Sequence, residues 1–441
     1  MAAPITTLGQ KIVPTIWNER TLKRDFQVVL GKMLQSEQRD SSETEEPYLR
    51  SANIQWTGVD VSDVKTMWFS PVEKRELPLL RGDLVVNEGG DVGRCAIWNG
   101  EIEECYFQNA VNRVRARKRA STRFLYYWLY NIKLAGFIDA IVGRTTIAHL
   151  TAERLEALPW PDIPPQEQQR IAAYLDASCA AIDAAVAAKR RQIETLTALR
   201  KSIIQRVVTK GLNPGAIMRH SGSDDLEEIP SHWRTDRMKD VVKLRNLKTD
   251  LGSEEADYLE LEDIESGTGR ILNRRNTLEV ESAVTLFKKG DILFGKLRPY
   301  LEKYFQADFD GKCTGEILAF EPDRINSRFL FYCIASPWFI KRCNTLAYGA
   351  KMPRVNWQTQ LAVFILPLPP ADEQEAICDF LDTKLNELSR IVVNIEAQIT
   401  TLTAYRKSLI HECVTGQRRV TEEDVQRATR VNSIRTVEHQ P

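Results

Sequence analysis

Histidine is scarce in this chain, with five among 441 residues, and no two of them lie three or four residues apart. The eight cysteines (Cys95, Cys105, Cys179, Cys313, Cys333, Cys343, Cys378, Cys413) are scattered, and none forms a Cys-x-x-Cys pair. Zinc frameworks are thereby disfavoured, and reduced, buried thiols are the expectation. There is no Gly-x-x-x-x-Gly-Lys-Ser/Thr loop, hence no sign of a P-loop ATPase. Gly89-Gly90-Asp91-Val92-Gly93 lacks the glycine spacing and the strand-to-helix setting of a dinucleotide site. No Asn/Asp-Pro-Pro-aromatic segment is present, such as amino-methyltransferases use to grip the target amine. Pro161-Asp162 and Pro322-Asp323 are not followed by the Glu/Asp-x-Lys of a metal-dependent nuclease. Charge of one sign is also missing: Lys plus Arg and Asp plus Glu are 60 each, for a net charge of zero. That disfavours an unspecific polyelectrolyte binder and leaves local basic patches open. No uninterrupted apolar run approaches the ~20 residues of a membrane helix. The start, Met1–Trp17, lacks a basic-then-apolar signal pattern. The expectation is a soluble, cytoplasmic protein of two to three domains, with no membrane partner and no catalytic or metal site of its own.

What the chain does have is a long internal repeat, which outranks other signals where it occurs. Pro165–Thr209 returns without a gap as Ala371–Thr415, with eighteen of the forty-five paired positions identical. The densest match pairs Gln192-Ile193-x-Thr195-Leu196-Thr197-Ala198-x-Arg200-Lys201-Ser202-x-Ile204 with Gln398-Ile399-x-Thr401-Leu402-Thr403-Ala404-x-Arg406-Lys407-Ser408-x-Ile410. Each copy follows a proline-rich loop and runs free of proline and glycine until Gly211 or Gly416. Pro165 and Pro370 suit a first helical position, and Glu167, Asp372 and Glu373 suit the positive end of a helix dipole. Two helices of roughly 65 Å are expected, at ~1.5 Å per residue. Apolar positions spaced by three and four (Ile182, Val186, Ile193, Leu196, Ile203, Val207; Leu388, Val392, Ile395, Ile399, Leu402, Leu409) make a heptad seam on each. Burying one seam against the other is the simplest solution. Lys189, Arg200 and Arg406 interrupt it and can snorkel or set register.

A domain-sized segment precedes each helix. In the first, Tyr48–Ile54, Leu84–Val86 and Cys95–Trp98 read as short strands, and Arg123–Tyr130 opens an aromatic-faced helix. In the second, Asp257–Ile264, Lys289–Phe294 and Arg328–Tyr332 hold corresponding places. Gly349–Arg354 stands where Gly143–Thr146 stood. Framework pieces match while the loops between them do not, as expected of two domains with one fold and different targets. The run Arg113–Arg119 reads as a solvated strand edge or a phosphate contact rather than a base reader. The boundaries are 1–157 and 216–365 for the globular segments and 158–215 and 366–417 for the helical ones. Residues 418–441 form a polar tail expected to fray.

These features resemble the specificity subunits of type I restriction–modification enzymes. The resemblance rests on the duplicated plan, the Leu-Pro-x-Pro lead into each helix (Leu158–Pro161, Leu366–Pro369) and the Thr-Leu-Thr-Ala-x-Arg-Lys-Ser block. It rests also on the Gly-Asp turns at Gly82-Asp83 and Gly290-Asp291, and on Ile229-Pro230-Ser231-His232-Trp233. It covers roughly residues 20–415. The first half shows no clear Pro-x-x-Trp opening, Ile16-Trp17-Asn18 being at best a relic, so the start of its first domain is left open.

The resemblance implies an α+β fold. Two globular α/β target recognition domains would be separated by two long antiparallel coiled-coil helices, with a pseudo-two-fold repeat. It implies a non-catalytic subunit that reads a bipartite, asymmetric double-stranded DNA sequence, one half per domain. Partners would be two modification (methyltransferase) subunits and restriction subunits that translocate and cut. S-adenosylmethionine, ATP and Mg would be bound by those partners and none by this chain. Candidate DNA-binding residues are Arg94, Arg144 and Thr145 in the first domain and Lys296, Arg298, Lys351 and Arg354 in the second. Gly93, Gly143, Gly295 and Gly349 beside them would allow close backbone approach. Ile182, Val186, Ile193, Leu196, Arg200, Leu388, Val392, Ile399, Leu402 and Arg406 form the coiled-coil and subunit-interface set. Two other readings stay open, a self-contained DNA methyltransferase or nuclease and a coiled-coil scaffold that binds protein partners only.

Overall fold

The computed structural model describes residues 13–14, 16–117, 119–142, 149–223, 225–245, 248–249, 257–276 and 284–437. The chain divides into two compact units, Met1–Ala188 with Gln398–Pro441, and Lys189–Ala397. The first contains strands β1 (Phe26–Leu30), β2 (Thr44–Leu49), β3 (Lys65–Phe69), β4 (Leu84–Asn87), β5 (Cys95–Ile97), β6 (Tyr106–Phe107) and β7 (Val111–Ala116), then helix α1 (Thr122–Leu134). Helix α2 (Pro165–Lys210) follows. The second contains β8 (Val242–Leu244), β9 (Asp257–Leu259), β10 (Val284–Phe287), β11 (Ile292–Gly295), β12 (Tyr304–Gln306), β13 (Gly311–Thr314) and β14 (Ile317–Pro322), then α3 (Ser327–Ala335). The chain goes on through α4 (Ala371–Val414) and α5 (Glu422–Val437).

One four-stranded antiparallel sheet recurs, as β1-β7-β4-β5 and as β8-β14-β11-β12. Its central strands are buried on both faces. Leu84 and Val86 point into one cluster with Phe124, Leu125 and Trp128 of α1, while Val85 points into another with Phe107 and Trp98. Ile292 and Phe294 against Leu293 repeat the split. Side chains alternate along a strand, so β4 and β11, covered on both faces, read as apolar runs, while the central β7 buries Asn112 and Arg113 as well. The other sheet of each unit, three-stranded in the first and five-stranded in the second, differs. β2 and β6 run parallel, as β9 and β13 do, but β3 pairs with β2 whereas β10 pairs with β13.

The shared sequence positions do matching work. Asp83 takes the Leu80 amide at 2.7 Å and both arms of Arg115 at 2.7 and 2.6 Å. Asp291 takes the Lys288 amide at 2.8 Å and the Arg245 guanidinium. Gly82 and Gly290 supply the φ of 93° and 94° that these turns need. Each long helix is then latched to its globular segment by a buried glutamine. Gln168 accepts from the Ser121 amide at 3.0 Å and donates to the Ile163 carbonyl at 2.8 Å. Gln374 does the same with the Asn326 amide (2.8 Å) and the Pro369 carbonyl (2.9 Å). Two turns on, Asp176 binds Arg123 and Tyr127, and Asp382 binds Arg328 and Tyr332.

The seams pair as expected. In the first unit Ile182 and Val186 of α2 share a core with Leu402 and Leu409 of α4, and Asp183 meets Arg406 at 3.0 Å. In the second, Ile203 and Ile204 of α2 share a core with Leu381, Leu385 and Leu388 of α4. Each pairing sets the start of one helix against the end of the other, the antiparallel arrangement. Pro165 is the first residue of α2, while Pro370 stands just outside α4. All eight cysteines are free and buried. Burial pushes the Cys179 and Cys105 thiols up to about 11 and about 12.

Several expectations need correction. Although charges interrupt it, α2 contains an 18-residue window of mean hydropathy 1.5, long and apolar enough by composition to cross a membrane. Its alanines produce that value, while Ile171, Leu175, Cys179 and Ile182 are buried against protein. Asp176 and Asp183 in the same stretch hold the ion pairs just described. The basic run is no strand edge, because β7 lies between β1 and β4. Arg113 is 3% exposed, donates to the Glu76 and Pro78 carbonyls, and is pushed down to about 10 by burial, with the Arg115 charge adding. The tail is not frayed up to Val437, since it forms α5 and buries Val420.

The first domain does have its Pro-x-x-Trp opening, as Pro14-Thr15-Ile16-Trp17. The Trp17 amide donates to the Pro14 carbonyl at 3.1 Å, as Trp233 does to Pro230 at 3.0 Å. A Cβ on Gly416 would lie 2.9 Å from the Trp17 ring, and one on Gly211 3.0 Å from Trp233. Each tryptophan therefore closes over the glycine that ends a long helix, Trp17 over the end of α4 and Trp233 over the end of α2. The four-residue pattern is itself plain in the sequence, and only the contact of Trp17 with Gly416, at the other end of the chain, needed the fold.

Replacing Gln374 by alanine strands a part-buried amide and a buried carbonyl, a loss of about 2 kcal/mol. Urea unfolding should show that loss, and Gln168→Ala should match it in the first unit.

Candidate nucleic-acid interface

In the second unit a set of loops gathers beyond the end of β11. The Lys296 amide donates to the Glu316 carbonyl at 3.0 Å, and the Lys296 carbonyl accepts from Val355 at 3.0 Å. The Arg298 amide donates to Pro353 at 2.7 Å, and Tyr348 and Arg354 exchange backbone bonds of 3.1 and 3.0 Å. Segments 296–302 and 346–355 are thus stitched together by their backbones. Arg298 sits in the left-handed region at φ 50° and Glu302 at φ 51°, either side of a 3-10 turn, Pro299–Leu301. Such strain in non-glycine residues costs about 1–3 kcal/mol each and gathers at functional sites.

The structure therefore brings Lys296, Arg298, Lys351 and Arg354 together, but not in one role. Arg354 is bound by both carboxylate oxygens of Glu316, at 3.1 and 3.2 Å, and that bidentate bond raises its pKa. It fixes the loop rather than facing outward. Arg298 is exposed, and its guanidinium donates to the Lys351 carbonyl at 3.3 Å. Among the described residues Lys296 and Lys351 have no acidic partner. Tyr348, Tyr300 and Met352 stand exposed beside them, at 61%, 53% and 48%. Sequence reasoning passed over these three, although Tyr348 and Met352 flank two of the nominated cations. Cations interleaved with exposed aromatic rings suit phosphates and base edges or faces.

In the first unit Arg94 closes the β4–β5 hairpin and is turned onto its own domain. It lies 3.6 Å from Asp91 and 3.5 Å from the Ser51 carbonyl, with its Nε buried and without a partner. Arg144, Thr145 and Gly143 lie outside the described residues. The glycines serve packing more than approach by a ligand. A Cβ on Gly93 would sit 2.8 Å from Ile138, and one on Gly295 2.7 Å from Leu261. Gly349 needs its φ of 107° for the turn at Met352. The helix set is placed as a seam. Ile182 is buried, and Val186, Ile193, Leu196, Arg200, Leu388, Val392, Ile399, Leu402 and Arg406 are half-buried.

Comparison with known proteins gives a consistent picture. The profile of the type I restriction modification DNA specificity domain matches twice, over residues 14–195 and 230–401. The first match starts at Pro14, the residue that opens the Trp17 turn. The chain is 24% identical over 313 residues to the type I restriction enzyme MjaVIII specificity subunit of Methanocaldococcus jannaschii, covering 67% of this chain and 70% of that one. It is 28% identical over 301 residues to the type I restriction enzyme EcoDI specificity subunit of Escherichia coli, covering 63% and 65%. Its fold is similar to that of a chain solved in work on complex assembly and conformational transition of the type I R-M system. That match has a TM-score of 0.68 and 15% identity, covering 92% of this chain and 99% of that one. The HsdS subunit from Thermoanaerobacter tengcongensis matches with a TM-score of 0.52 and 16% identity, covering 93% and 100%.

Removing the Glu316 carboxylate (Glu316→Ala) should loosen the loop without unfolding the unit. Hydrogen exchange at the Tyr348 and Arg354 amides should speed up, while the urea unfolding midpoint of the unit stays where it was, as for a partly exposed ion pair.

Proposed function

The chain belongs to the DNA specificity family of type I restriction–modification systems, the non-catalytic DNA-recognition components of those systems, and from that premise we propose how it reads DNA. Each globular segment takes one half of a bipartite, asymmetric double-stranded sequence. The observation that carries this reading is a shared framework with unshared loops. The Gly-Asp turns, the glutamine latches and the four-stranded sheets agree in detail. The segments beyond β4 and β11 do not, and base reading needs only a few side chains on such loops. In the second domain Lys296, Arg298 and Lys351 face the DNA with Tyr300 and Tyr348, and Arg354 positions them. In the first domain the reading falls to Arg144 and Thr145, with Arg94 supporting the β4–β5 hairpin.

The two long helices set the gap between half-sites. At 46 residues and ~1.5 Å per residue, α2 is roughly 69 Å long, ample for half-sites one turn of B-DNA (~34 Å) apart. The helices also dock two methyltransferase subunits, to which restriction subunits add. S-adenosylmethionine, ATP and Mg act on those partners, and the assembly works in the cytoplasm. A neutral chain suits a reader that borrows phosphate contacts from its partners.

Methylation profiling of host DNA with single-molecule sequencing tests the reading. Replacing Arg298 and Lys351 with alanine should relax or shift one half-site only, with about 1–3 kcal/mol lost per base contact. Equal weakening on all sequences, with a shallower salt dependence, would assign them to phosphates instead. Deleting one heptad from the middle of both long helices should shorten the unspecified spacer and leave both half-sites intact. An unchanged spacer would sink the ruler. Absence of any DNA footprint with the methyltransferase subunits present would leave the scaffold reading.

A further inference from the structure

The two long helices are copies of one sequence, but one stretch departs from its twin in a directed way. On α2 the face made by Tyr174, Ala177, Ser178 and Ala181 carries mostly small side chains, whereas the paired positions on α4 are Phe380, Thr383, Lys384 and Glu387. Small side chains at a contact let a second helix approach closely. In the first unit a helix lies there. Val425 and Ala428 of α5 pack against the core of that unit. Arg418, Asp424, Arg427 and Ala428 enclose a shallow site with Tyr174, Ala181 and Leu409.

The seat is well made. The Arg418 guanidinium lies 5.1 Å over the Tyr174 ring, Arg170 reaches Glu422 at 3.6 Å, and Val420 is buried. Thr421 and Asp424 cap the start of α5 reciprocally, at 3.0 and 3.2 Å. In the second unit the twin positions face outward. Thr383, Lys384 and Glu387 are exposed, where their twins Ala177, Ser178 and Ala181 are half-buried, and Lys384 and Glu387 pair with each other at 2.8 Å. Among the described residues of that unit no helix covers them.

We propose that α5 is a competitor in cis for one of the two methyltransferase positions. The repeat builds two twin faces, and α5 occupies one of them. A first methyltransferase subunit docks on the open face of the second unit, and a second must displace α5 from the first. The inference rests on the reading that the helix pair docks that subunit. The helix thereby holds the complex at one methyltransferase copy until the second is abundant.

Titration of the full chain with the methyltransferase subunit of its own system, followed by native mass spectrometry, tests this. Two binding steps are expected to differ by about tenfold or more in affinity. Hydrogen exchange across 422–430 should speed up only in the second step. A chain ending at Thr421 should bring the two steps together by tightening the weaker one. Val425→Asp with Ala428→Asp, which alters α5 alone, should do the same and covers the case in which the truncated chain folds poorly. Two equal steps with the full chain, or an α5 still protected with two copies bound, would overturn the competitor. A chain that binds no methyltransferase subunit would instead overturn the docking reading beneath it.

Discussion

A single buried side-chain amide, used twice, is the constraint on which the rest of the structure depends. Gln168 and Gln374 each stand at the start of a long helix with both ends of the amide spoken for. One end accepts from the backbone at the start of the aromatic helix of the same unit, and the other donates to the loop that delivers the chain. A carboxylate could not donate and a leucine could do neither, so glutamine is the residue type that closes this joint. Asp176 and Asp382 add a charged contact two turns further along, each to an arginine and a tyrosine of that aromatic helix. Together they turn a helix and a domain into one body. A helix hinged at this joint could not report a distance.

The framework spends its charges on its own joints. Arg115 and Arg245 clamp the aspartates of the Gly-Asp turns, Arg113 is sealed under backbone carbonyls, and Arg123 and Arg328 hold the helix latches. A count of Lys and Arg therefore says little about the surface offered to DNA. Among the described residues Lys296, Arg298 and Lys351 of the second loop cluster have no acidic partner, and the left-handed backbone at Arg298 lies on loops pinned by the Arg354–Glu316 fork. Specificity by a few such groups agrees with a chain whose net charge is zero.

Departures from the repeat are as informative as the matches. In the first unit Trp56 packs edge-on to Tyr130, and Arg406 lies over that same ring and pairs with Asp183. In the second unit the corresponding sequence positions are Ser266 and Ala335, and Arg200 reaches the Thr268 carbonyl beside an open groove of about 620 Å³. The alanine face under α5 belongs to the same class of difference. Each makes the two halves chemically distinct while the joints stay alike.

The order of elements, the two long helices, their heptad seams, the paired frameworks and the family were all legible in the sequence. Periodicity and internal repetition are local signals, carried by Gln192–Ile204 and its twin as plainly in one dimension as in three. Tertiary structure alone decided which cations are free, because Arg113, Arg115 and Arg354 differ from Lys351 only in the partners that folding brings to them. It alone showed that Gly93 and Gly295 make room for Ile138 and Leu261, and that the tail returns to an alanine face. It also showed that Trp17 and Gly416, at opposite ends of the chain, repeat the contact of Trp233 with Gly211. Contacts of that kind join residues tens to hundreds of positions apart, and no spacing rule along the chain encodes them.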